Sequence, residues 1–170
     1  MAAIIFTMPG APDAPYLNGG DEAYWMGQIH GALASHLSHN GISLVYGTPG
    51  EGAPGDFQVA LCSQQAPASQ EGSRKGPCLC FRRGDAQGAW GAGILGEHLG
   101  RVYPQPELLQ VVEEDALPEL GEVPVPGVLV RLLYRDNPQD EAWLTRNTGA
   151  VALALARGLA EVLGAPFQHA

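Results

Sequence analysis

Residues 126–143 read PGVLVRLLYRDNPQDEAW. Val128, Leu129, Val130, Leu132 and Leu133 make a nearly continuous apolar run, bounded by Pro126-Gly127 before it and Asn137-Pro138 after it. Such a run predicts a strand over 128–134 that is buried on both faces, as strands are in parallel sheets. Arg131 interrupts the run. A guanidinium does not shed its charge, so a buried one needs an anion beside it. Two arrangements satisfy that demand: an edge strand whose arginine reaches solvent, or a buried strand with an acid waiting for Arg131.

Outward from this strand the chain alternates between strand and helix patterns. Residues 3–8 form a short apolar run stopped by Pro9-Gly10, which predicts a buried first strand followed by a loop as far as Gly19-Gly20. Asp21 is placed to cap a helix over about 21–39, in which Met26, Ile29, Leu33 and Leu37 recur at spacings of three and four until Asn40-Gly41 ends it. Strands are expected at 42–46 and 57–62, with only the Gly/Pro-rich 47–56 between them, where no helix fits. Further strands are expected at 78–82 and 108–112. Asp85 caps a glycine-interrupted helix carrying Trp90, Ile94, Leu95, Leu99 and Val102, which ends before Pro104. Asn137-Pro138 opens a short helix, and Val151, Leu155, Leu159, Val162 and Leu163 mark a long C-terminal one ended by Gly164. The acidic EEDALPELGEVP, 113–124, reads as a surface excursion with a single short turn. With no internal repeat and no long linker, the alternation predicts one domain over 1–170 of α/β class: a three-layer α/β/α sandwich around a mostly parallel sheet of five to six strands.

The bulk properties agree with that class. A chain of 170 residues, 45% hydrophobic and 16% charged, buries roughly two thirds of its unfolded surface on folding. A formal net charge of -9 argues against nucleic acid and against an anionic membrane surface, both of which need a basic face. No window approaches the ~20 apolar residues of a membrane span. MAAIIFTMPG lacks the basic segment and apolar length of a signal peptide, so a cytoplasmic location is the expectation for the chain as given. Three cysteines, Cys62, Cys78 and Cys80, form an odd set, and Cys78-x-Cys80 is a poor disulfide spacing on a strand. Reduced thiols are expected.

Several constellations invite chemistry and have plain structural explanations. His36 and His39 lie three apart near the end of the first helix, where imidazoles suit the negative pole of the dipole, and no third ligand follows nearby. Cys78 and Cys80 share one strand face, as small buried hydrophobes do. Gly91, Gly93 and Gly96 match a GxGxxG pattern inside a helix rather than after a strand, so the dinucleotide reading fails on context. Glu22 is more informative. It precedes Met26, Ile29 and Leu33 by four, seven and eleven residues and so points inward, although a first-turn acid also favours the helix dipole.

Three segments, PYLNGGDEAYWMGQIHGALASHLSHNGISLVYGTP, FQVALCSQQAP and PGVLVRLLYRDNPQDEAWL, together with the terminal helix, resemble in order, spacing and wording the zinc-dependent N-acetylmuramoyl-L-alanine amidase family, which cleaves peptidoglycan. In that family a histidine after the first strand, a glutamate opening the next helix and a histidine after a later strand hold zinc. A glutamate on a late strand is the general base for the metal-bound water. On this chain the resemblance places the first histidine position at Ala11, the glutamate at Glu22, the second histidine at Cys62 and the catalytic glutamate at Arg131. Only Glu22 is unchanged. Cys62 keeps a donor atom, Ala11 has none, and Arg131 sets a fixed cation where a base would act. The resemblance also implies a substrate-binding role for Ser63 and Gln64, and a helix between the second and third strands that 47–56 lacks.

The resemblance thus implies a degenerate, catalytically inactive amidase-like protein with a binding or regulatory role. Its partner would be peptidoglycan, a muropeptide or a protein, with no cofactor, no nucleic acid and no membrane. Two other readings stand beside it. One is an active amidase with a rebuilt zinc site using Glu22, Cys62 and His30 or Asp13; the other is an intracellular interaction protein whose contact surface is the acidic 113–122. If zinc is lost, an inward Glu22 needs another cation, and Arg131 is expected within salt-bridge reach of it.

Overall fold

Asp21, Asp85 and Asn137 each open a helix by accepting backbone N–H groups: from Tyr24, from Gly88, and from Gln139 and Asp140. The computed structural model describes residues 2–47, 55–121 and 125–169. In chain order the elements are β1 (Ala3–Thr7), α1 (Glu22–His39), β2 (Ser43–Tyr46), β3 (Phe57–Gln64), β4 (Cys78–Arg82), α2 (Ala86–Gly100), β5 (Gln110–Glu114), β6 (Gly127–Tyr134), α3 (Pro138–Arg146) and α4 (Thr148–Val162). Of the stretch expected to cross from β2 to β3 without a helix, 48–54 lie outside the described residues.

The strands form one six-stranded sheet in the order β2-β1-β3-β6-β4-β5. All neighbours are parallel except β4 and β6, which run antiparallel through Cys78↔Arg131, Leu79↔Val130 and Cys80↔Leu129. β6 is therefore central, and the edge-strand explanation of Arg131 falls away. The α/β class and the mostly parallel sheet are as expected. The fifth strand lies two residues later than 108–112, because Pro106 starts a 3-10 turn that occupies Pro106–Leu108.

Alternation along the strands sorts the side chains by face. Ile4, Phe6, Val59, Leu61, Leu79, Val128 and Val130 pack with α1, α2 and α4 in the main core. Met26, Ile29, Leu33 and Leu37 of α1 are fully buried there, each contributing about 1.5–3 kcal/mol by removal from water. On the opposite face a smaller cluster joins Ala60, Cys62, Cys80 and Leu129 to Leu117 and Leu120. Those two leucines are 4% and 1% exposed, so 115–121 is not a free surface loop; 122–124 of the expected excursion lie outside the described residues. Pro118–Leu120 is a 3-10 turn, and its geometry brings residues three apart onto one side, so both leucines cover the sheet, while Asp115 is exposed and Glu119 is about one-third exposed.

Candidate functional site

Glu22 is the first residue of α1, and its place is set by three backbone restraints. Its N–H donates to the Ala14 carbonyl at 2.9 Å, Pro15 bridges to Asp21, and Asp21 caps the helix. The side chain, 3% exposed, meets the far end of β3. There the pairing of β3 with β6 shifts register between Cys62 and Gln64, and such an irregularity re-aims a residue out of the ladder. Ser63 uses that freedom to donate twice to Glu22: N–H to Oε2 at 2.9 Å and Oγ–H to Oε1 at 2.6 Å. The Tyr16 hydroxyl donates to Oε1 at 3.0 Å. Burial, and then the Glu22 charge, push the Tyr16 phenol far above its ordinary range, so it remains a donor. Gly10 closes the other side, since a Cβ there would stand 2.2 Å from Oε2.

Arg135 extends this network, with Nη1 donating to Ser63 Oγ at 3.2 Å and Nη2 to Gln65 Oε1 at 2.8 Å. The expected Glu22 to Arg131 salt bridge is not formed. Arg131 lies level with Cys62 on β3 and Cys78 on β4, and so projects over the small-cluster face, whereas Glu22 reaches the sheet at Ser63, at the register shift itself. The acid that answers Arg131 is Glu119, with Nη2 to Oε2 at 4.0 Å and both side chains about one-third exposed. A pair that long and wet is worth well under about 1 kcal/mol. Arg131 Nη1 also donates to Cys80 Sγ at 3.6 Å.

The other positions singled out by sequence scatter. Ala11 is exposed, and its carbonyl accepts from the Ala14 N–H at 3.1 Å. Cys62 is 8% exposed, and burial, then the Glu22 charge, push its thiol up to about 12. Gln64 donates to the Gly76 carbonyl at 3.4 Å. His30 packs between the rings of Phe6 and Tyr46, Asp13 is exposed, and His36 packs with Phe167 and His169.

A zinc ion fits this arrangement poorly. Both oxygens of Glu22 already accept hydrogen bonds, burial and the Glu22 charge oppose ionisation of the Cys62 thiol, Ala11 offers no side-chain donor, and Arg131 adds positive charge. Among the described residues, no group of three or more His, Cys, Asp or Glu side chains converges as a metal site requires.

Sequence reasoning passed over the carboxylates that brace the loops around the site. Asp140 and Glu141, 1% and 0% exposed, sit on α3. Asp140 accepts from Gly76 N at 2.9 Å, from Tyr134 N at 3.0 Å and from the Tyr103 hydroxyl. Glu141 accepts from Asn18 N at 2.8 Å and Nδ2 at 2.9 Å, which ties the loop before α1 to the helix after β6. Asp136 accepts from Ala66 N and Gly72 N. The signal was present in the acid-rich DNPQDE, but an acid that points inward and one that points to water look alike in a string of letters.

The architecture matches solved structures over nearly its full length. AmiC2, an N-acetylmuramoyl-L-alanine amidase of Nostoc punctiforme, superposes with a TM-score of 0.79 at 15% identity, covering 96% of this chain and 97% of that one. The CwlD amidase from Clostridioides difficile, in complex with the GerS lipoprotein, gives 0.83 at 14% identity, covering 96% and 99%. The catalytic domain of CwlV, an N-acetylmuramoyl-L-alanine amidase from Bacillus (Paenibacillus) polymyxa var. colistinus, gives 0.76 at 17% identity, covering 98% and 100%. This chain has the fold of those amidases. No family model matches the sequence. No curated protein matches it either.

Proposed function

We propose that this chain, which shares the fold of N-acetylmuramoyl-L-alanine amidases, is a degenerate member of that family: a single domain over 1–170 that binds peptidoglycan fragments or a protein partner and does not hydrolyse the muramoyl-L-alanine amide. The observation that carries the reading is the closure of Glu22. Its carboxylate is satisfied by Ser63 and Tyr16 and held under Gly10, so it is not offered to a metal. The substitutions support it: Ala11 has no donor, and Arg131 takes a base's position with a group that cannot accept a proton. A rebuilt zinc site is less well supported, since His30 is held between two aromatic rings and Asp13 is exposed. An interaction surface at 113–122 would have to use the outward acids of a segment whose leucines are committed to the sheet.

The test combines zinc content with dye release from labelled cell walls. The expected result is sub-stoichiometric zinc after incubation with the metal and no release above background, together with measurable muropeptide or protein binding. Zinc-stimulated release that Glu22→Ala abolishes would replace this reading with the rebuilt-site amidase. If the proposal holds, calorimetry with muropeptides distinguishes a wall ligand from a protein partner.

A further inference from the structure

Cys78 and Cys80 take no part in the network around Glu22, yet their geometry is that of a reactive pair. Both point to the same face of β4, with Sγ atoms 3.7 Å apart. Cys80 is fully buried, whereas Cys78 is half-buried and lines a surface cavity of about 450 Å³ with Arg74, Lys75, Glu107 and Tyr134. Arg131 lies directly across from Cys78 in the antiparallel register, with its guanidinium on Cys80 Sγ at 3.6 Å. One reachable sulfur facing Arg131 across the strand pair and one sheltered sulfur in van der Waals contact are the two halves of a thiol switch.

We propose that Cys78 and Cys80 form a peroxide-reactive thiol pair, with Cys78 as the nucleophile toward a hydroperoxide and Cys80 as the resolving thiol. In the first step the Cys78 thiolate attacks the terminal peroxide oxygen; an S–O bond forms, the O–O bond breaks, and the departing alkoxide or hydroxide takes a proton to leave as alcohol or water. Cys78 is oxidised to the sulfenic acid and the peroxide is reduced. In the second, Cys80 sulfur attacks Cys78 sulfur, an S–S bond forms, and the sulfenic oxygen leaves as water with the Cys80 proton. The product is strained. Residues two apart on a strand have Cα atoms about 6.6 Å apart, near the upper limit a disulfide spans, so the bond is readily reduced by a dithiol. This also fits a sequence spacing unsuited to a permanent bridge.

Electrostatics act in the same direction. The hydrogen bond from Cys80 draws the Cys78 thiol down to about 7, with Arg131 assisting, while burial and Glu114 oppose. Cys62 is buried at 8% exposure, against the half-buried Cys78 that lines the cavity.

The test is thiol counting on the reduced full-length chain, which has three free cysteines, after one equivalent of hydrogen peroxide at neutral pH. Two thiols are expected to disappear, about 10-fold faster than in the urea-unfolded chain, whose thiols have ordinary acidity. Peptide mapping should then place a disulfide between positions 78 and 80 that dithiothreitol reverses. In Cys80→Ser, dimedone should trap a sulfenic acid on Cys78. Oxidation of the native chain no faster than the unfolded one, or Cys78→Ser losing thiols as fast as the parent, would overturn the proposal. The native-to-unfolded comparison uses the unmodified chain, so it stands even if a variant folds poorly.

Discussion

Glu22 accepts three hydrogen bonds from two neutral residues, and belongs to none of the ion pairs seen among the described residues. Removing it by Glu22→Ala strands the Ser63 N–H and two hydroxyls in a buried site, and chemical denaturation should show a loss of about 2–4 kcal/mol. Arg131→Leu should cost under about 1 kcal/mol, given its long and one-third-exposed pairing with Glu119. Because the two side chains share no partner, the double variant should equal the sum of the singles within about 0.5 kcal/mol. Partial recovery in the double variant would show that they are coupled after all. Cys62 gives a second prediction. Its thiol is raised to about 12 in the fold against about 8.5 unfolded, so it favours the folded state up to the unfolded value, and that advantage is lost as pH climbs from there toward 12. Between about pH 8 and about pH 10.5 the chain should lose about 2 kcal/mol that Cys62→Ala does not lose, measured as urea midpoints.

At the scale of elements, the helices were legible because their beginnings are written in short-range chemistry. Asp21, Asp85 and Asn137 cap the helices that follow them, and Met26, Ile29, Leu33 and Leu37 face the core as their spacing requires. What misled was composition. Seven of the twelve residues in EEDALPELGEVP are acidic or proline, yet Leu117 and Leu120 bury in one cluster with Cys80 and Leu129. Leu120→Ala should therefore cost about 2–4 kcal/mol by thermal or urea unfolding, where a true surface residue would cost within about 0.5 kcal/mol. The acids of α3 were equally hidden in the letters. Asp140 holds two backbone N–H groups and the Tyr103 hydroxyl, so Asp140→Ala should cost at least about 3 kcal/mol, whereas Tyr103→Phe should cost about 1 kcal/mol.

At the scale of the molecule, a sheet that places β6 between β3 and β4 sets Arg131 in the middle of the fold, with Cys62 on one side and Cys78 on the other. On the proposed reading, placing zinc-ligating and basic residues at the amidase-like positions should not by itself create a zinc site. The set Ala11→His, Cys62→His and Arg131→Glu supplies ligands and a base, but leaves Ser63 and Tyr16 on Glu22 and Leu117 and Leu120 over the sheet. Bound zinc in that variant, measured by atomic absorption after dialysis, should stay well below one ion per chain. Stoichiometric zinc would mean that the hydrogen bonds to Glu22 yield to a metal.

Sequence alone determined the α/β class, most element positions, the inward direction of Glu22 and the oddity of Arg131. Each of these rests on periodicity, capping and turn residues, which act over a few positions and are visible in one dimension. Tertiary structure decided the partners: Ser63 and Tyr16 for Glu22, Glu119 for Arg131, Asp140 for the strand and loop ends, and the proximity of Cys78 to Arg131. Those choices depend on strand order and on one register shift between Cys62 and Gln64, which takes Ser63 out of the regular ladder. A salt bridge inferred from charge need alone fails under such a shift, because hydrogen bonds require a specific approach while charge complementarity only names a sign.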